Sequence, residues 1–255
     1  MTAGPPDAAR TSPACAWCEQ PLADGPLRAL GQLRCERCGA TTALGVSEER
    51  PLARAPLLAS TPPRAGWRLC SLGEAARRRV RTRLAARIAR VAPPGPVLDV
   101  GSGDRLLLDA LRATGRLTTG IGPAPRDGTP PPLGVRSADI TELGGRYAAI
   151  VFWQSLGRLP TPGQALDHAA ALLKPGGLLA IAQPSPARLQ ARALGERLLA
   201  PEAPRHRVLI PPQALIERLS ALGLQVDRVE RLLDVPPGGL LGGLLGGVTA
   251  IEARR

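Results

Sequence analysis

Apolar and polar positions alternate with a changing period along most of the chain. Over residues 74–91, Val80, Leu84, Ile88 and Val91 recur at spacings of four, four and three while arginines fill the other faces, which predicts an amphipathic helix that Pro93 and Pro94 stop. Short apolar runs then alternate with helical patterns: strand 97–100, helix 105–113, strand 117–121, strand 148–153, helix 162–173 and strand 178–182. The series continues with helix 186–199, helix 211–222, strand 225–232 and strand 248–253. Strands separated by helices imply an α/β fold whose mostly parallel sheet is covered on both faces.

The first seventy residues have no such period. Residues 1–14 are rich in Pro, Ala and Thr and read as a loose tail, 15–45 as a small cysteine-bearing module, and 46–70 as a linker crowded by Pro51, Pro56, Pro62 and Pro63. The main domain then spans 71–255. Within it, residues 238–247 repeat Gly-Gly-Leu-Leu with period four. That stretch is poor helix material in water and reads either as a flexible hairpin connection or as an apolar flap for a lipid-like substrate or membrane surface.

Cys15-Ala-Trp-Cys18 and Cys35-Glu-Arg-Cys38 are two pairs of the C-x2-C type, sixteen residues apart. This spacing lets a hairpin bring four thiolates around one zinc ion, and a full sphere of four cysteines is structural because it leaves no position for a reactive water. Gly39 supplies the permissive backbone after the second pair, and Glu19 takes the matching place after the first. Two disulfides are the competing reading in an oxidising setting. The first residues have no apolar core of the kind a signal peptide needs, so a cytoplasmic location and metal binding are expected.

Composition adds little. The net charge of +12 is carried by arginine, Lys174 being the single lysine, and an aromatic content of 2% leaves few rings on which bases could stack. Nucleic acid is therefore not an expected partner, and an enzyme guided to it by the cysteine module and the arginine-rich helix is the weakest reading. No stretch has the length and hydrophobicity of a transmembrane helix.

The segment Pro96-Val-Leu-Asp-Val-Gly-Ser-Gly-Asp-Arg105 places an acid and a Gly-x-Gly turn between an apolar strand and a helix, where backbone can approach a ligand closely. Leu106 stands where a dinucleotide fingerprint wants its third glycine. Together with Leu173-Lys-Pro-Gly-Gly-Leu-Leu-Ala-Ile-Ala182, the segment beginning Ser185-Pro-Ala-Arg, and Pro204-Arg-His206, it resembles class I S-adenosylmethionine-dependent methyltransferases from about Ser71 to the C-terminus. The resemblance extends to a bacterial subgroup with an N-terminal four-cysteine zinc ribbon.

That resemblance implies a Rossmann-like, mostly parallel seven-stranded sheet, S-adenosylmethionine as cofactor and a small-molecule methyl acceptor. Asp99, Gly101 and Gly103 would frame the methionine end of the donor, Asp139 and Ile140 would edge its adenine, and Trp153 and Gln154 would face donor or substrate. His206 is the better of the two histidines for orienting or deprotonating an acceptor; His168 reads as a helix-surface residue. The chain departs from the pattern at three places. Gly122 stands where the family has an acid for the ribose hydroxyls, Arg105 stands at the third glycine of the first motif, and Gln154-Ser-Leu-Gly-Arg-Leu159 replaces His-Ser-Leu-Glu-His-Leu. These departures motivate a second reading, a catalytically silent binding or scaffolding protein of the same fold.

Overall fold

The computed structural model describes residues 13–44, 67–102, 105–123, 130–131, 133–184, 206–233 and 247–255. The sequence-predicted helix 186–199 and most of the Gly-Leu repeat lie outside them.

A seven-stranded sheet forms the centre, built from β3 (Val97–Val100), β4 (Thr118–Gly122), β5 (Val135–Ser137), β6 (Tyr147–Trp153), β7 (Leu173–Pro184), β9 (Gln225–Leu233) and β10 (Gly247–Arg254). Its order is β5-β4-β3-β6-β7-β10-β9. Every neighbouring pair from β5 to β7 is parallel, whereas β10 runs antiparallel to both β7 and β9. Such a sheet is buried on both faces, which explains the fully buried run of β3 and the continuous apolar stretch of β6.

Two helices, α1 (Trp67–Val91) and α2 (Leu106–Ala113), cover one face. Ala85 and Ile88 of α1 and Leu107 and Leu111 of α2 pack there on Val97, Ala149, Val151 and Ala180. Helices α3 (Pro162–Leu172) and α4 (Pro212–Ala221) cover the other through Leu166, Ala169, Leu215 and Leu219, against Leu98, Ile150, Phe152 and Ile181. Alternate residues of one strand thus serve opposite cores. Arg87 ties α1 to β10 through Glu252 at 2.6 Å, and Arg116 closes the end of α1 by donating to the carbonyls of Ala89, Ala92 and Pro93.

Helix α1 begins seven residues earlier than its apolar period indicates, inside the stretch read as linker, because no proline follows Pro63 before Pro93. Strand β7 begins at Leu173, where the sequence suggests the end of a helix. Leu173 is fully buried opposite Tyr147, and the Gly176–Gly177 backbone is closed by Arg255, which accepts from Gly176 and donates to Gly177.

The cysteine-bearing module contributes β1 (Gln32–Arg34) and β2 (Thr41–Ala43). These form a three-stranded antiparallel sheet with β8 (Val208–Leu209), a two-residue strand from the main domain. Trp17, Leu22 and Leu33 belong to the same apolar cluster as Phe152 and Leu215, so the module packs on the α3/α4 face.

Candidate active site and cysteine cluster

Parallel strands place all their carboxyl ends on one edge, and the chain crosses from one side of β3 to the other between β5 and β6. An open α/β sheet has its ligand crevice at that switch point. Asp99, Gly101, Gly122, Asp139, Ile140, Trp153 and Gln154 all fall on this edge; Gly103 lies outside the described residues.

Asp99 is buried at 4% exposure and accepts a hydrogen bond from the Ser102 hydroxyl, which fixes the turn leaving β3. Gly101 has a φ of +81°, and a Cβ there would run into the Ser155 side chain. Only glycine fits, because Ser155 crosses the end of β3 to donate to the Val100 carbonyl. Gln154, at a φ of +53°, donates its N–H to the Ala182 carbonyl at 2.7 Å. The ends of β3, β6 and β7 are thereby stitched together.

On the other side of the crevice, Gly122 pairs with Ser137, and a Cβ at 122 would meet no atom of the described residues within 4 Å. The exposed Asp139 caps the 3-10 turn Ile140–Glu142: its carboxylate accepts from the Thr141 N–H at 2.8 Å and hydroxyl at 2.7 Å, while Glu142 accepts from the Asp139 N–H. The Ile140 side chain is buried in the main core, so its main chain is what it presents to the edge.

Arg105 caps α2 in the left-handed conformation, at a φ of +57°, the geometry that a glycine adopts without penalty. Its guanidinium reaches Asp109 at 3.3 Å, and its Nε is buried without a hydrogen-bond partner among the described residues. Trp153 turns its ring to the α1 face beneath the Arg81 guanidinium, 4.0 Å from the ring centre.

His206 is 3% exposed and lines a narrow cleft with Gln154 and Gln183 at the ends of β6 and β7. It precedes β8, and the approach of β8 depends on Gly157: a Cβ there would overlap the Val208 carbonyl oxygen, and the Arg207 N–H donates to the Gly157 carbonyl at 2.8 Å. His168 instead donates from Nε2 to the Leu143 carbonyl at 2.9 Å, tying α3 to the loop before β6. The sequence reading missed Gln183 by ending its strand at 182, and it took Gly157 only as a lost carboxylate.

The four cysteines converge. Cys15 and Cys38 have their sulfurs 3.7 Å apart, Cys18 and Cys35 3.6 Å, and all four sulfurs lie within 4.8 Å of one another. A zinc tetrahedron with bonds of about 2.3 Å has edges of roughly 3.8 Å, so the donor set fits that metal. Glu19 and Gly39 share a left-handed backbone, φ +62° and +69°, and their N–H groups donate to Cys15 and Cys35. The two knuckles are therefore the same turn despite their different residues. Burial, reinforced by neighbouring thiols, pushes the Cys38 thiol above its ordinary range, and burial does the same at Cys18. A bound cation is what would draw off their protons.

A doubly wound sheet with one antiparallel strand set between β7 and β9, and a glycine turn at its switch point, defines a Rossmann-like methyltransferase fold. The methyltransferase domain pattern matches residues 76–229, more than half of the chain, and the chain belongs to this S-adenosylmethionine-dependent family. It is 29% identical over 168 residues to the ubiquinone biosynthesis O-methyltransferase of Xanthomonas axonopodis pv. citri, covering 58% of this chain and 70% of the relative. The Xanthomonas campestris pv. campestris protein of the same description is 30% identical over 168 residues, with the same coverage.

Among solved structures, a SAM-dependent methyltransferase of Archaeoglobus fulgidus is similar at a TM-score of 0.51 and 17% identity, covering 70% of this chain and 94% of that one. The magnesium protoporphyrin IX methyltransferase of Synechocystis PCC 6803, with bound SAH, reaches 0.51 at 16% identity, covering 72% and 84%. At these identities the likeness is one of fold. No helix among the described residues is long and apolar enough to cross a membrane.

Proposed function

We propose that the chain transfers a methyl group from S-adenosylmethionine to an oxygen or nitrogen of a small metabolite, with the donor in the switch-point crevice and the acceptor at the edge between Gln154 and His206. The observation that carries this reading is the convergence of Asp99, Gly101, Gly122, Asp139 and Gln154 on one sheet edge in a chain of this family. The names of the Xanthomonas relatives favour an oxygen acceptor.

The bound donor supplies a methyl group already activated on a cationic sulfur, so the protein's task is chiefly alignment. Asp99, Gly101 and Gly103 frame the methionine end; Asp139 and Ile140 edge the adenine, and Trp153 closes the edge on the α1 side. Among the described residues Gly122 leaves open space beside the ribose, and it offers no carboxylate there, which predicts weak donor binding. His206 receives the proton of a neutral acceptor hydroxyl; an acidic, already ionised oxygen needs no base.

Cys15, Cys18, Cys35 and Cys38 hold one structural zinc in a ribbon spanning 15–45, after a tail at 1–14 and before a linker that the start of α1 at Trp67 shortens to 46–66, in a protein of the reducing cytoplasm. Calorimetric titration with S-adenosylmethionine and its demethylated product tests the donor site, and methyl transfer to a panel of phenols, carboxylates and amines tests the reaction. Heats of binding followed by transfer to one class are expected. No heat with either ligand would leave the silent binding or scaffolding protein as the better account.

A further inference from the structure

A cavity of about 320 Å³ opens on the α1 face, between α1 and the outer strands β7, β10 and β9. Its floor is low because Ala180, Ala182 and Ala250 present only methyl groups, with Ala182 directly opposite Ala250 across the β7/β10 pair. Val80 and Leu84 supply an apolar roof from one side of α1. Trp153 forms a wall, its ring held by Arg81. Apart from Trp153, no residue assigned to the donor crevice lines this space.

The charges around the cavity are unequally matched. Arg87 is paired with Glu252 at 2.6 Å, and Arg228 is in contact with Glu230. Arg83, one helical turn before Arg87, also lines the cavity and makes no ion pair or hydrogen bond among the described residues. Two of the three guanidinium groups are thus neutralised by neighbours, and the third is left at the exposed rim above an apolar floor. The volume is at the lower end of the range of small-molecule sites, which combine apolar walls with a few placed polar groups.

We propose that this cavity binds a small, flat, largely apolar molecule carrying one anionic group, such as an aromatic carboxylate. Its ring lies on the alanine floor beside Trp153 and its anion meets Arg83, in a site separate from the methyl-donor crevice. A cation is disfavoured there, because both lining carboxylates already hold an arginine.

The test uses 2-naphthoate as probe, titrated against the full chain and followed by fluorescence, with the uncharged 2-acetylnaphthalene beside it. Naphthoate is expected to bind about tenfold or more tightly than the uncharged analogue. Arg83→Glu should weaken naphthoate by about tenfold or more, and Ala250→Leu, which fills the hollow from a half-exposed position, should abolish binding of both probes. Both variants should keep the wild-type heat with S-adenosylmethionine, which shows that they fold. The proposal is overturned if wild-type protein does not bind naphthoate at millimolar concentration, if the two probes bind alike, or if neither variant changes binding. Displacement of naphthoate by saturating S-adenosylhomocysteine overturns it equally, since the donor crevice would then be the site bound.

Discussion

Gly122→Asp should tighten methyl-donor binding by about tenfold. Position 122 ends β4 with a backbone outside the left-handed region, and a Cβ there meets no atom of the described residues within 4 Å, so an aspartate enters without displacing any of them. Replacing a strand glycine restricts the unfolded chain, a gain of about 0.5–1 kcal/mol that the low strand preference of aspartate offsets, so stability should hardly change. With the donor seated as proposed, the carboxylate would accept from both ribose hydroxyls. Hydrogen bonds to a charged group contribute about 1.5–3 kcal/mol each, or roughly tenfold to a hundredfold in affinity, and partial exposure of the position argues for the lower end. Calorimetry with S-adenosylmethionine and S-adenosylhomocysteine on both proteins measures the change. Micromolar binding by the wild type that Gly122→Asp leaves unaltered would refute the reasoning and mean that another group grips the ribose. Asp127→Asn would then identify the nearest acidic candidate in the sequence by weakening that binding.

Gly157→Ala should cost about 1–3 kcal/mol in denaturant unfolding, because its methyl group would overlap the Val208 carbonyl, and should lower methyl transfer with donor affinity unchanged. Arg105→Gly should raise stability by roughly 0.5–1 kcal/mol by relieving a left-handed arginine whose partner Asp109 is exposed, and should also clear the backbone approach to the donor. A lower unfolding midpoint would show that the arginine holds its loop instead. Elemental analysis of protein purified without added metal should find one zinc per chain, and chelation should speed amide exchange at Val208 and Leu209. A metal content near zero would remove the assignment.

What the sequence reveals follows the range of the forces involved. Strand β3 is legible to the residue, since four consecutive buried positions end at a proline on one side and a glycine turn on the other. Strand β6 is legible to within one residue for a similar reason. Val135–Ser137 and Val208–Leu209 are not, because strands of three and two residues have no readable period and exist only through their partners β4 and β2. The same limit applies at the site. Replacement of a family carboxylate by Gly157 reads as wear in one dimension, yet in three dimensions the missing side chain is the space that β8 occupies. Arg105 and Glu19 show the converse: both keep a left-handed backbone although the residue is not glycine, so geometry persists where the sequence signature has lapsed.

The cysteine hairpin bears on the proposed acceptor edge through a short path. Thr41 and Thr42 of β2 pair with Leu209 and Val208, the Ala43 N–H donates to the Arg207 carbonyl at 2.8 Å, and the Arg207 N–H donates to Gly157 at 2.8 Å. His206 is the residue before Arg207 and lines the narrow cleft that Gln154 also lines. A two-residue strand cannot hold its own position, so β8 and the imidazole before it depend on β2 from one side and on the turn after β6 from the other. Arg218 reinforces the joint: it is paired with Asp167 at 2.7 Å, donates to the Trp17 carbonyl at 3.2 Å and stacks 5.0 Å from the Trp17 ring, while Gln164 donates to Glu19 at 3.2 Å. The Trp17 carbonyl in turn fits against Gly163, where a Cβ would stand 2.8 Å from its oxygen. The hairpin has too little apolar surface to order itself, so whatever gathers its four sulfurs also fixes β2, and through β2 the wall that carries His206.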